Sequence, residues 1–184
     1  MFNKLGSDRV GIIAYASTAI PVLPITTDFS SAKMFLESLN TDMLSSQGTS
    51  IIEAIELSKG YFDDDNQTNR VLCILSDGED HEFKEDKLFS AIDGSGITIF
   101  TIGLGSTKGA PIPIKENNIV KSYKKDDKGE VVITRLNENL LQKMALQSSG
   151  KYIKGDNTNQ VVDDIINELK EMWYIIGWTI VTMW

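Results

Sequence analysis

The sequence predicts an α/β fold with a doubly wound, mostly parallel sheet. Three observations carry that prediction. Short apolar runs alternate with stretches of helical periodicity through most of the 184 residues. One run, Val71-Leu72-Cys73-Ile74-Leu75, is apolar without a break, as a parallel strand covered on both faces must be. No internal repeat or low-complexity linker divides the chain, so the alternation belongs to one unit.

The elements follow in order. Val10 to Ala16 reads as a buried strand. Ala19 to Ile25 contains Pro21 and Pro24, which cannot donate to a ladder, so it reads as an edge strand. Asp28 is placed to cap a helix in which Ala32, Phe35, Leu36 and Leu39 recur at helical spacing. Gly48-Thr49-Ser50 opens a second helix with Ile51, Ile52, Ile55 and Leu57 on its apolar side. The polar segment from Asp63 to Asn69 reads as a solvated loop, because its acidic triplet lacks the alternating spacing of a calcium loop. After the Val71–Leu75 strand, Phe83 to Ile92 reads as a helix ended at Gly94 and Gly96. Ile97 to Ile102 reads as a strand. Ile119–Lys124 and Val131–Thr134 flank Asp127-Lys128-Gly129, a hairpin signal. Asn137 caps a helix carrying Leu140, Leu141, Met144 and Ala145. A short strand at Lys151–Lys154 precedes a last helix, capped by Asn157, with Val161, Val162, Ile165, Ile166 and Leu169 on one face.

The tail from Met172 to Trp184 carries no charge. As a helix, its 13 residues would extend about 20 Å, short of a bilayer core of about 30 Å. Its β-branched and aromatic residues suit a strand equally well. The tail is therefore read as a clipped membrane segment, an interfacial anchor or a substitute strand.

Composition narrows the function. A formal net charge of −8 repels phosphate backbones and anionic lipid, so nucleic acid is not an expected partner. The N-terminus lacks a signal-peptide layout. Cys73, the one cysteine, lies in an apolar run and reads as a buried hydrophobe. Gly103-Leu104-Gly105-Ser106-Thr107-Lys108-Gly109 lacks the third glycine of a dinucleotide fingerprint and runs into Pro111 and Pro113, so it reads as an irregular turn.

In a doubly wound sheet, ligands bind beyond the carboxyl ends of the strands. The loop Ser76-Asp77-Gly78-Glu79-Asp80-His81-Glu82 falls there. Its four acidic side chains suit a hard divalent cation. They suit helix capping as well: Asp80 is placed to cap the next helix, and Glu82 and Glu85 favour its positive end. His81, the single histidine, is too little for a zinc site, and no Gly-x-Ser-x-Gly elbow supports nucleophilic hydrolysis.

Several segments taken together resemble a known family. Asp8-Arg9-Val10-Gly11-Ile12-Ile13-Ala14-Tyr15-Ala16, Gln47-Gly48-Thr49-Ser50-Ile51, Leu75-Ser76-Asp77-Gly78-Glu79-Asp80 and Thr101-Ile102-Gly103-Leu104-Gly105-Ser106 resemble, in order and spacing, motifs of von Willebrand factor A domains. Leu23-Pro24-Ile25-Thr26, Ala32-Lys33-Met34-Phe35-Leu36 and Gly109-Ala110-Pro111-Ile112-Pro113 are similar to bacterial Bat-type aerotolerance proteins of the BatB-like branch. The resemblance covers about residues 5 to 170. It implies a three-layer α/β/α domain over residues 1–170, followed by the apolar tail over 171–184. It implies a non-enzymatic protein-binding module whose metal-ion-dependent adhesion site holds Mg²⁺, with Thr49 and Asp77 matching two of its ligand positions; Asp80, in the same loop as Asp77, is the third candidate metal residue. It also implies an inner-membrane, periplasm-facing location, with other Bat-type proteins and a MoxR-type ATPase as partners and no small-molecule substrate. The family's Asp-x-Ser-x-Ser loop, which follows its first, central strand, does not occur in this sequence. The expected domain is thus incomplete at its N-terminus, and its residual site binds Mg²⁺ weakly or not at all. The rival readings are a Mg²⁺-dependent hydrolase built on Asp77 and Glu79, and a non-functional gene fragment.

Overall fold

A computed structural model of the chain describes residues 4–6, 8–40, 43, 50–62, 69–79, 85–116, 119–172 and 178–183. Six strands form the main sheet: β1 (Arg9–Tyr15), β2 (Ala19–Thr26), β3 (Asn69–Ser76), β4 (Thr98–Gly103), β9 (Tyr152–Lys154) and β10 (Trp178–Met183). Their order is β2-β1-β10-β3-β4-β9. Every neighbouring pair is parallel except β1–β2, which is antiparallel and places proline-bearing β2 at an edge, the position in a sheet where proline is tolerated.

Strand β10 occupies the slot between β1 and β3. Its backbone pairs with both, from Arg9↔Thr179 to Ile13↔Met183 on one side and from Trp178↔Asn69 to Met183↔Ile74 on the other. The last strand of the chain is thus central in the sheet, and the chain winds outward from it in two directions.

Five helices cover the sheet: α1 (Phe29–Ser38), α2 (Ile51–Tyr61), α3 (Glu85–Asp93), α4 (Glu138–Gln147) and α5 (Thr158–Glu171). Period-two alternation assigns their faces. Leu72 and Ile74 of β3 pack with Ile51 and Ile55 of α2, Leu88 of α3 and Leu141 of α4. Val71 and Cys73, one residue out of phase, pack with Ile165, Ile166 and Leu169 of α5. Val10 and Ile12 of β1 meet Ala32 of α1. Both faces of the sheet are therefore covered, which explains why the β3 sequence is apolar without alternation.

Local chemistry sets the helix starts. Asp28 accepts from the backbone N–H groups of Ser30 and Ser31, Asn137 from Leu140, and Asn157 from Asn159 and Gln160. Each satisfies donors that a first turn leaves unpaired. Gly11 has a packing role: a Cβ there would lie 2.7 Å from the Tyr61 ring. The bare backbone lets Tyr61 lie across β1 and donate to the Ile12 carbonyl at 3.1 Å.

The segment between β4 and α4 departs from the hairpin expected around Asp127-Lys128-Gly129. It holds β5 (Ala110–Pro111), β6 (Pro113–Glu116), β7 (Ile119–Tyr123) and β8 (Ile133–Thr134). β7 pairs with β6 and β8 with β5; the expected partners meet only near the turn, at the Lys125↔Val131 bridge and through Val132 N–H donating to the Lys124 carbonyl. The physical reason is that the stretch from Ala110 to Glu116, broken by prolines and unassigned from sequence, supplies extended backbone that competes for both strands. We call residues 110–134 the arm.

Candidate functional site

The carboxyl ends of β1, β3 and β4 lie at one end of the sheet, because these strands run parallel through β10. The chain winds away to β2 on one side and to β4 and β9 on the other, so the winding direction reverses between β1 and β3. A crevice forms at such a reversal. Here it is a cavity of about 390 Å³, with Tyr15, Leu75, Asp77, Leu104, Ser106 and Thr134 among its lining residues.

Tyr15 ends β1, and its hydroxyl donates to the Leu75 carbonyl of β3 at 3.3 Å. β10 separates those two strands and ends level with Ile13 and Ile74, so Tyr15 closes the sheet just beyond its end. The acidic loop begins at the next residues. The Ser76 hydroxyl accepts from Gly78 N–H at 2.9 Å, and Asp77 Oδ1 accepts from Glu79 N–H at 3.0 Å. Gly78 has φ +70, and a Cβ on it would lie 2.9 Å from the Asn137 carbonyl, so this turn requires glycine on both counts.

The base of the arm ties this loop down. The Thr134 hydroxyl lies 2.8 Å from Asp77 Oδ2 and 2.8 Å from Glu79 Oε2. Arg135 N–H donates to Glu79 Oε1 at 2.8 Å, and Asn137 N–H donates to the Asp77 carbonyl at 2.7 Å. Asp77 and Glu79 are thereby brought together on a single hydroxyl. Thr134 and Arg135 are not among the residues that the sequence singles out. Nothing local marks them, since they lie 55 to 57 residues further along the chain.

Of the three residues expected to hold metal, Asp77 lies at this site; Thr49 and Asp80 lie outside the described residues, as does His81. Mg²⁺ takes about six oxygen ligands in near-octahedral geometry. Among the described residues no group of three or more histidine, cysteine, aspartate or glutamate side chains converges. Both carboxylates already accept hydrogen bonds from their own chain. The described residues alone therefore do not fit a closed Mg²⁺ site; they supply two carboxylates and neighbouring hydroxyls at the mouth of a cavity.

The chain as a whole is similar to known proteins. The chain matches the von Willebrand factor type A domain over residues 1–168. It is similar to the crystal structure of conserved hypothetical protein BatB from Bacteroides thetaiotaomicron, with 37% identity and a TM-score of 0.86 over 95% of this chain and 83% of that one. It is similar, again at 37% identity, to an aerotolerance-related membrane protein from Bacteroides fragilis, with a TM-score of 0.84 over 93% of this chain and 83% of that one. A curated relative, an uncharacterized protein of Borreliella burgdorferi, is 25% identical over 111 residues, which are 59% of this chain. The chain spans 32% of that relative's length. Among the described residues, no helix is long and apolar enough to cross a membrane.

Proposed function

The chain belongs to the von Willebrand factor type A domain family, and from that premise we propose that it is a non-enzymatic protein-binding module of a bacterial cell-envelope complex, docking its partner at the carboxyl end of the sheet. Domains of this family generally mediate protein–protein interaction, and the aerotolerance-related relative from Bacteroides fragilis is a membrane protein. The observation that carries the reading is the cavity beyond β1, β3 and β4. Its lining combines apolar side chains, Leu75 and Leu104, with polar ones, Asp77, Ser106 and Thr134. Apolar contact area together with polar groups that fix orientation is what a docking surface needs.

Mg²⁺ binds here weakly, through Asp77, with Thr49 as the further ligand the family pattern assigns and Asp80 as a third candidate. Titration calorimetry is expected to give an affinity near the millimolar range, about −4 kcal/mol, lost in Asp77→Ala. Tight binding that survives that substitution would refute this part.

The partners are other Bat-type proteins and a MoxR-type ATPase in an inner-membrane, periplasm-facing complex. Biolayer interferometry of the purified chain against those proteins from the same genome tests the reading. At least one is expected to bind, and Ser106→Trp, which fills the cavity mouth, is expected to weaken it about tenfold or more, roughly 1.4 kcal/mol. No binding by any of them, or binding indifferent to Ser106→Trp, overturns the reading. Asp77 and Glu79 side by side are also what a metal-dependent hydrolase would present. Turnover of a generic phosphate ester that requires Mg²⁺ and disappears in Glu79→Gln would decide for that alternative.

A further inference from the structure

The arm differs from the rest of the molecule in charge and in surface. Its residues 110–134 include five basic and four acidic residues, a local net charge of +1 in a chain of −8, which leaves −9 on everything else. Six of the large apolar side chains exposed among the described residues also fall in this short stretch: Ile114, Ile119, Val120, Tyr123, Val131 and Ile133. A clustered exposed apolar patch of this kind marks an interaction site, whereas scattered single residues do not.

The strand pairing says what kind. β6 and β7 form a two-stranded sheet, so each has an outer edge with no strand against it among the described residues. All five residues of β7 are exposed. A hairpin of two strands is marginal in water, and an open apolar edge is a template for another strand. The register puts Ile114 and Ile119 on one face of the hairpin, and Val120 and Tyr123 on the other. A membrane-lying element needs its apolar residues on a single face, and an anionic lipid surface would repel the −9 body. Apolar residues on both faces of an open edge suit a third strand.

We propose that the β6–β7 hairpin is a docking edge that takes an extended acidic segment of a partner protein by strand addition. This rests on the reading of the domain as a protein-binding module and names the partner's chemistry: alternating acidic and apolar residues, the acidic ones meeting Lys121, whose exposed ammonium lies 3.8 Å from Glu116 across the hairpin. The location supports it. The arm's base, Ala110 and Thr134, lines the cavity beside the acidic loop, so a strand on the hairpin is continuous with a partner seated in that cavity.

The test uses the full chain and a fluorescently labelled peptide of about eight residues, close to a natural strand length, alternating glutamate and valine. Anisotropy is expected to show saturable binding that weakens about fivefold at roughly 0.5 M salt, as screening requires. It is expected to weaken at least about tenfold in the double variant Ile119→Ser, Val120→Ser, whose side chains are exposed and whose melting temperature should hold within about 2 °C. The same peptide with lysine for glutamate should bind at least about tenfold more weakly. Equal binding of the two peptides, or binding unchanged in the double variant, overturns the proposal. So does co-sedimentation with phosphatidylcholine vesicles containing about one-third phosphatidylglycerol, if that variant abolishes it, because the edge would then serve a membrane. Ser106→Trp separates the two readings. If it blocks the envelope partners while the double variant does not, the docking edge falls and the binding module stands.

Discussion

The Thr134 hydroxyl lies 2.8 Å from Oδ2 of Asp77, joining the base of the arm to the loop that ends the third strand. The same oxygen lies 2.8 Å from Glu79. A hydroxyl has one proton to donate, so two carboxylates share it. Thr134→Val keeps the shape and removes the donor, leaving two half-buried carboxylates facing a methyl group. The expected cost is about 1–2 kcal/mol, for a bond to a charged group at a partly solvated site. In a domain of this size that lowers the melting temperature by about 3–6 °C. Thr134→Ser should recover most of it. Calorimetry that finds Thr134→Val within about 1 °C of the parent removes the hydroxyl from any structural role.

That bridge also marks where sequence reasoning stopped. The caps at Asp28, Asn137 and Asn157 were legible because a cap acts within three residues. The unbroken apolar run at Val71–Leu75 was legible because covering both faces leaves a compositional trace. Thr134 and Arg135 left no such trace, since a hydroxyl and a backbone N–H acquire their roles only when the arm folds back. The arm's pairing departs from the hairpin expected of its sequence for a related reason. A turn at Asp126–Gly129 is locally specified, with Asp126 Oδ1 accepting from Lys128 and Glu130 N–H groups. Which strands pair beyond it is decided by a competing segment from Ala110 to Glu116 that has no signal of its own.

Two tyrosines predict how stability changes in alkali. Burial pushes the Tyr61 phenol up to about 12, against a backbone hydrogen bond that pulls it down. Burial, and then the hydrogen bond to Glu138, push Tyr152 up to about 12 as well. A folded value above the ordinary 10.0 means that the unfolded chain loses these protons first. Their contribution is therefore fully present below pH 10 and is lost as pH rises towards about 12. Urea unfolding across that window should show stability falling with pH, with a shallower slope in the Tyr61→Phe, Tyr152→Phe double variant. An identical slope in the variant assigns the alkaline loss to other groups.

Cys73 offers a probe of opening that is independent of heat. It is buried against the last helix, and burial pushes its thiol up to about 12. Alkylation requires a thiolate and access, so the native chain should react with iodoacetamide only through opening. Protection relative to chain in denaturant should exceed about a thousandfold, the order set by ordinary domain stability. A native rate within about tenfold of the unfolded one would mean that the helix–sheet contact at Cys73 opens locally.

Strand β10 makes the strongest prediction, because both of its neighbours depend on it. Trp178–Met183 is hydrogen-bonded between β1 and β3, five residue pairs to one and six to the other. Removing it leaves two inner edges facing a gap, and buried backbone groups without partners are costly. At about 1 kcal/mol for each bond lost, the deficit is comparable to the whole stability of a typical domain, about 5–15 kcal/mol. Deleting residues 172 to 184 should therefore abolish the cooperative melt and send the chain to aggregate on size exclusion. A milder variant separates the strand from the mere presence of an apolar tail. Ile180→Pro removes a ladder donor in the centre of the sheet without changing the length, and should cost about 3 kcal/mol or more. If the deletion and the proline variant both melt at the parent's temperature, the central position is not held by this segment in solution.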